Sequence, residues 1–209
     1  METILAEIRV FAARIGGSRS ILLHLAVLTA FGVWIPRAKG LDFLDPQVLG
    51  AYLCLGLLFA GPAAAQSFSE GFAPPPFSLA IARVVTGVLY GEAAVGALTG
   101  AGIATVYLSL RGQFIPQLDL PSLMKPATLG LGGAVMVAAM AAWMAVRFSR
   151  RAAMIALRFI FFALLILFYY RGQWLPEVAW TGAAVCFAVA ALFIVMLRKA
   201  CLQPRNRIS

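Results

Sequence analysis

From Phe77 to Leu110 the chain runs for 34 residues with only two charges, Arg83 and Glu92. A helix rises about 1.5 Å per residue, and the hydrocarbon core of a bilayer is about 30 Å thick. This stretch is therefore too long for one upright span. Other apolar runs precede and follow it, and the composition agrees. Hydrophobic residues make up 62% of the 209 and charged residues 12%, against about 45–50% and about 25% in soluble domains. A water-soluble fold of this size could not hide so much apolar surface, which excludes a free soluble enzyme or regulator. At about 20 residues per span plus connections, the length holds roughly six spans and little else. The expected fold class is all-α: one polytopic transmembrane domain over residues 1–209, with about six membrane-spanning helices preceded by an interfacial amphipathic helix. Any energy-coupling or chemical module then sits on another chain.

At the start, Ile4, Leu5, Ile8, Phe11 and Ile15 share one face at helical spacing, while Glu2, Glu7, Arg9 and Arg14 fall elsewhere. The acids come early and Arg14 and Arg19 late, as the helix dipole favours. Residues 1–19 read as a helix lying in the membrane interface. A cleaved leader would begin basic and then turn apolar, so none is expected. Spans are expected at about 20–34 (closed by Pro36), 47–65, 86–109, 126–146, 152–170 and 178–197, followed by a basic tail at 198–209. Residues 78–85 are expected in the interface. Pro74-Pro75-Pro76 cannot continue a helix, so the chain turns there. The third span is dense in small residues. Gly87-xxx-Gly91 and Gly96-xxx-Gly100 fit the pattern that lets helix backbones approach in lipid, and predict a helix packed on several sides. The fifth is bulky (Phe159, Phe161, Phe162, Leu164, Leu165, Phe168), which suits contact with lipid.

The net charge of +9 would suggest nucleic acid in a soluble protein. Here it marks cytoplasmic loops, and no nucleic-acid partner is expected. With the N-terminus inside, eleven of the seventeen basic residues fall on inner segments (Arg9, Arg14, Arg19, Arg83, Arg147, Arg150, Arg151, Arg198, Lys199, Arg205, Arg207) and five on outer loops (Arg37, Lys39, Arg111, Lys125, Arg171). Both termini are thus expected in the cytoplasm, with Trp34, Tyr170, Trp174 and Trp180 as an aromatic belt at the outer face.

Three scattered cysteines, Cys54, Cys186 and Cys201, form neither a disulfide framework nor a zinc spacing. A single histidine, His24, cannot build a bis-histidine haem site or a His-rich metal site, and reads as an interfacial side chain. Met136, Met140 and Met144 recur at every fourth position and read as packing. Asp42 and Asp45 read as solvated loop residues. No phosphate-cradling Gly-Lys-Ser/Thr loop and no nucleophile–base set is present, so no cofactor, metal or catalytic residue is expected on this chain.

An intramembrane carboxylate is expensive and a functional hypothesis by default. Glu92 is one, and Arg158 lies at a similar depth in the fifth span. They either contact a substrate or proton, as a pair or facing a common polar interior, or form a structural ion pair or snorkel to the interface. Glu70 lies where the second span leaves the membrane. It either docks a cytoplasmic partner or is a solvated carboxylate among capping neighbours.

An interfacial N-terminal helix, six spans, both ends inside and a structured inner loop after the second span together resemble the permease subunits of ATP-binding-cassette exporters. The likeness is to the compact exporter-type permeases, which include the haem-exporter B subunit of cytochrome c maturation. In that family the second inner segment carries an acidic residue, a Gly, a Pro, then a small and a basic residue opening the next span. Ser69-Glu70-Gly71, Pro74-Pro75-Pro76 and Ala82-Arg83 stand here in that order. The resemblance implies a coupling helix over residues 66–77, set in a groove of a separate cytoplasmic ATPase, with the N-terminal helix as the elbow. Ser67, Ser69, Glu70, Gly71, Pro74 and Arg83 would carry that contact. It further implies a second permease copy or a paralogue as partner, in a bacterial inner membrane. The alternative from the residues alone is a non-translocating structural or accessory subunit of a larger membrane complex.

Overall fold

The computed structural model describes residues 2–15, 25–66, 75–109 and 120–202, and every regular element among them is helical. Helix α1 spans Glu2–Ile15. A π-helical segment, Leu28–Trp34, leads into the short α2, Ile35–Lys39, and a 3₁₀ turn, Gly40–Leu44. Five long helices follow: α3 (Pro46–Gln66), α4 (Phe77–Ser109), α5 (Leu120–Arg147), α6 (Arg150–Arg171) and α7 (Leu175–Leu202). Four of them, α3, α4, α5 and α7, are long and apolar enough to cross a membrane. The fifth expected span becomes α6, which carries Arg150, Arg151 and Arg158. The expected start of the first span lies outside the described residues.

Successive long helices run up and down, so α3, α5 and α7 are parallel to one another, with α4 and α6 opposed to them. The register shows this directly. Gly130 and Gly133 of α5 lie against Leu53 and Leu57 of α3, in ascending order on both helices. Gly87 and Gly91 of α4 lie against Ala60 and Gly56 of α3, in descending order. The bundle therefore has two ends. One, the basic end, gathers the α3–α4 and α5–α6 connections, the close of α7, and α1. At the other, the aromatic end, Trp34, Tyr170, Trp174 and Trp180 are all exposed. There the Arg171 guanidinium stacks 4.5 Å from the Trp174 ring centre.

Helices α3 and α5 form the inside. Over the most apolar 18 residues of each helix, 67% are buried in α3 and 61% in α5, against 33% in α4 and 17% in α7. The α5–α7 contact is the most extensive, followed by α3 with α4 and α3 with α5. Two cores result. Toward the basic end, alanines pack tightly between α3, α5 and their neighbours, including Ala60, Ala64, Ala138, Ala141, Ala142 and Ala145. Toward the aromatic end the core is bulkier, with Phe43, Tyr52, Leu55, Leu98 and Val106. On α6, Ile155, Phe159, Phe162 and Ile166 are exposed, while Ala153 and Leu157 turn into the alanine core.

Local sequence explains the joints. Arg147 closes α5, and Ser149 caps α6 by accepting a hydrogen bond from the Ala152 N–H at 3.1 Å. Gly40 ends α2 with φ of 60°, a conformation that costs a side-chain-bearing residue more.

Three expectations need correction. Pro36 does not close the first helical stretch, which continues to Lys39. Residues 78–85 are not a separate interfacial piece, because α4 is one helix of 33 residues, about 50 Å long. No proline or glycine interrupts α4 before Gly87, and the charge on Arg83 is met by Glu7. The polar loop before the fourth span is shorter than expected, since residues 120–125 are already helical and Pro126 lies inside α5. As expected, α4 packs on several sides, against α3, α5, α1 and the π segment, and it leaves one face exposed.

The passage through Pro36 has a specific physical basis. In the π segment the Ile35 N–H donates to the Ala30 carbonyl, five residues back. Continued, that pattern would pair the Phe31 carbonyl with residue 36, a proline without an N–H. The Tyr52 hydroxyl on α3 donates to Phe31 O instead. The Thr105 hydroxyl of α4 shares its single proton between the next carbonyl, Gly32 O at 3.1 Å, and Ala101 O of its own helix, closer still at 2.8 Å. A side chain of a neighbouring helix thus satisfies the carbonyl that the proline leaves without a donor, as apolar surroundings require.

Candidate functional site

Two places gather residues singled out by the sequence. The first is the basic end. Ser67, Ser69, Glu70, Gly71 and Pro74 lie outside the described residues, so of the coupling-like set only Arg83 is placed. On the near side of that segment α3 closes at Gln66. On the far side the Pro76 carbonyl accepts the Ala80 N–H at 3.1 Å as α4 begins. Arg83 lies under two turns into α4, with its Nε 3.5 Å from Glu7 Oε2 of α1, and both side chains are largely buried (12% and 16% exposed). The pair fastens the N-terminal helix to the opening of α4. Around it the same end presents exposed Arg147, Arg150, Arg151, Arg198 and Lys199.

The second place is a cavity of about 230 Å³ between α3, α4 and α5, in the half of the bundle nearer the aromatic end. Its back wall is α3, with Leu49, Tyr52, Leu53 and Gly56. Its flanks are Glu92, Val95, Gly96 and Thr99 of α4, and Pro126, Ala127 and Gly130 of α5. Antiparallel register sets the depth order. Gly56 and Glu92 lie at the inner floor, and Leu49, Thr99 and Pro126 toward the aromatic end. From Glu92 to Thr99 the helix rises about 10 Å. The buried lining residues are Tyr52, Leu53 and Gly56 on α3 and Gly130 on α5, while Gly96 and Ala127 on the flanks are exposed. The cavity therefore opens between α4 and α5, away from α3.

Among the described residues Glu92 is the sole carboxylate in the lining, and no lysine, arginine or histidine joins it. It makes no ion pair or hydrogen bond with any described residue. The proposed partnership with Arg158 is not formed: Arg158 is exposed on α6, a helix that contributes nothing to the cavity. The two were matched by depth along their helices, and depth leaves open which way each helix faces.

The small-residue pattern divides in the same way. A side-chain carbon at Gly87 would come within 2.6 Å of the Ala60 carbonyl oxygen, and one at Gly91 within 2.7 Å of the Gly56 oxygen. These two are packing glycines. At Gly96 and Gly100 an added carbon would meet nothing within 4 Å, and both residues are exposed. They are not packing positions within the chain.

Of the remaining candidates, Asp42 and Asp45 are exposed, while Cys54 is buried and Cys186 and Cys201 are half-buried free thiols. Met136, Met140 and Met144 pack against the alanine core. His24 lies outside the described residues. No group of three histidine, cysteine or acidic side chains that could hold a metal occurs among the described residues. Sequence reasoning passed over Tyr52 and Thr105. A proline inside an apolar helix is a signal that donors must come from elsewhere, but nothing local says from which residues. No family model, characterised protein or solved structure matches the chain.

Proposed function

We propose that the chain is the membrane-spanning permease subunit of an ATP-driven exporter of the ABC type, working with a separate cytoplasmic ATPase and with a second permease copy or a paralogue. In this reading six helices span a bacterial inner membrane with both termini in the cytoplasm. They are the four apolar helices, α6, and the stretch that ends in the π segment and α2. Helix α1 is the interfacial elbow.

The observation that carries the reading is the Glu7–Arg83 pair. It ties an N-terminal helix to the first turns of α4, directly beyond the segment 66–77. A force applied to that segment is thereby shared with α1 and with the longest helix of the bundle. Four exposed arginines and a lysine at the same end support a cytoplasmic location for it. Closure of a pair of ATPases would rock this end and shift the bundle between two arrangements. The ATP chemistry belongs to the partner, since the sequence has no phosphate loop.

The test is co-purification under native conditions, with Ser69→Cys as a topology reporter. The expected result is a nucleotide-binding partner in the complex, no ATP hydrolysis by the isolated chain, and labelling of Cys at position 69 only from the cytoplasmic side. Labelling from the outside, or recovery of the chain as a partnerless monomer, overturns the proposal.

A further inference from the structure

We propose that the Glu92 cavity is a binding site for a small organic monocation with an apolar body, received from the lipid between α4 and α5. Charge sets the sign of the ligand. A carboxylate half-buried about midway along a 33-residue apolar helix is costly unless something offsets it. Among the described residues nothing does, since Glu92 has no partner there and Arg158 is exposed on α6. Among the described residues no cationic side chain lines the cavity to receive an anion.

The walls set the body of the ligand. Leu49, Leu53, Val95 and Pro126 are apolar, and Thr99 adds one hydroxyl toward the aromatic end. Tyr52 closes the back of the cavity: it is buried against Phe31 and Phe43, and its hydroxyl is committed to the Phe31 carbonyl. The volume of about 230 Å³ sets the size. Pockets for drug-sized molecules run from roughly 300 to 1,000 Å³, so the ligand is smaller, of the order of a phenylalkylamine.

The opening sets the route. It lies between α4 and α5 at the exposed Gly96 and Ala127, on the flank of the bundle rather than at its end. An amphipathic cation concentrates in the bilayer and reaches such an opening laterally. This assignment deepens the exporter reading by naming the class of its cargo, and it rests on that reading for transport. Binding itself needs no ATPase.

The experiment is equilibrium binding of tritiated benzyltrimethylammonium to the purified chain in lipid nanodiscs, with empty nanodiscs subtracted. Neopentylbenzene, its neutral counterpart, and phenylacetate are the competitors. Saturable binding is expected, with both competitors at least tenfold weaker. Glu92→Gln should weaken binding at least tenfold. Gly96→Leu should abolish it by filling the cavity. Because an added carbon at Gly96 meets nothing within 4 Å, that variant folds normally and keeps the test decisive even if Glu92→Gln does not fold. Competition by neopentylbenzene as strong as by the cation itself, or unchanged affinity in either folded variant, overturns the assignment. Co-purification with an ATPase is scored separately, so the cavity can fail while the exporter reading stands, and the reverse.

Discussion

Helices α3 and α4 meet twice, and the two levels differ. Nearer the basic end, Gly87 and Gly91 bring the backbone of α4 against Ala60, Ala64 and Gly56 of α3. Nearer the aromatic end, Gly96 and Gly100 repeat the same four-residue spacing on the same helix and touch nothing, and the cavity lies beside them. The difference is made by helical phase. At the lower level Gly87 and Gly91 face α3, which presents its own small residues at matching spacing (Gly56, Ala60, Ala64). At about 3.6 residues per turn, Gly100 lies half a turn round the helix from Gly91, and Gly96 is displaced almost as far. Both therefore face away from α3, while Leu98, Gly102 and Val106 occupy the buried side. A small-residue pattern permits close approach, and the face it lies on decides whether it happens.

The sharpest way to break this comparison is Gly91→Leu. The new side chain meets the Gly56 carbonyl and the Ala60 Cβ, the latter at 2.8 Å from the first added atom alone. Backbone cannot step aside as a flexible side chain can, so the helices must part. A cost above about 3 kcal/mol is expected, at the upper end of overpacking effects. In detergent the variant should show little folded protein and a melting temperature far below the parent's, by fluorescence of a thiol dye on Cys54, which is buried in the folded chain. Unchanged melting would mean that the lower level is not closed.

Next in size is Arg83→Ala at the basic end. Removing the guanidinium leaves Glu7 mostly covered and without its counter-charge. Exposed pairs contribute up to about 1 kcal/mol, and breaking buried ones costs roughly 3–5. This pair sits between, and about 2 kcal/mol is expected, confined to the docking of α1. Limited proteolysis should therefore clip the first fifteen residues faster while the remaining bundle melts as before. Equal protection of α1 in both proteins would mean that apolar packing, not the ion pair, holds it.

The upper level has its own fastening, and Tyr52→Phe tests it. Loss of the hydroxyl leaves the Phe31 carbonyl without a donor, a cost of about 1–2 kcal/mol. The proline explanation makes a stricter demand. In a Pro36→Ala background residue 36 regains an N–H for that carbonyl, so Tyr52→Phe should cost less there. A double-mutant cycle on melting in detergent should give a coupling of about 1 kcal/mol. No coupling would mean that Tyr52 acts through its ring contacts with Phe31 and Phe43 alone.

These variants mark where the sequence was readable. Long apolar helices, the outward bulk of α6 and the exposed aromatics at one end follow from local composition, because lipid acts on each segment separately. The Gly87–Gly91 contact was legible for the same reason, as a local pattern with a local cause. What stayed hidden depends on pairs far apart in the chain. Tyr52 answers a carbonyl 21 residues earlier, and Thr105 one 73 residues earlier. Helix continuity through Pro36 rests on the first of these. Glu92 was recognisable as a costly charge, but its surroundings come from α3 and α5, and spacing along α4 could not name them. Arg158 was matched to it by depth alone, and the rotation of α6 about its axis undoes the match.

The smallest expected effect sharpens the comparison most. Gly100→Leu repeats the Gly91 change nine residues along, on the same helix and with the same chemistry. With nothing within 4 Å to strike, it should not destabilise. Replacing a helical glycine removes backbone freedom from the unfolded chain, a gain of up to about 1 kcal/mol. The melting temperature should stay level or rise by a few degrees. A fall would mean that the open face is covered in the assembled protein, and the amount of dimer on a sizing column would identify the cover. If dimer disappears together with stability, a second copy of α4 lies there, and the upper level is open only within one chain. If dimer persists and the melting temperature holds, the face meets lipid, and the opening beside Gly96 stays clear for a ligand to enter.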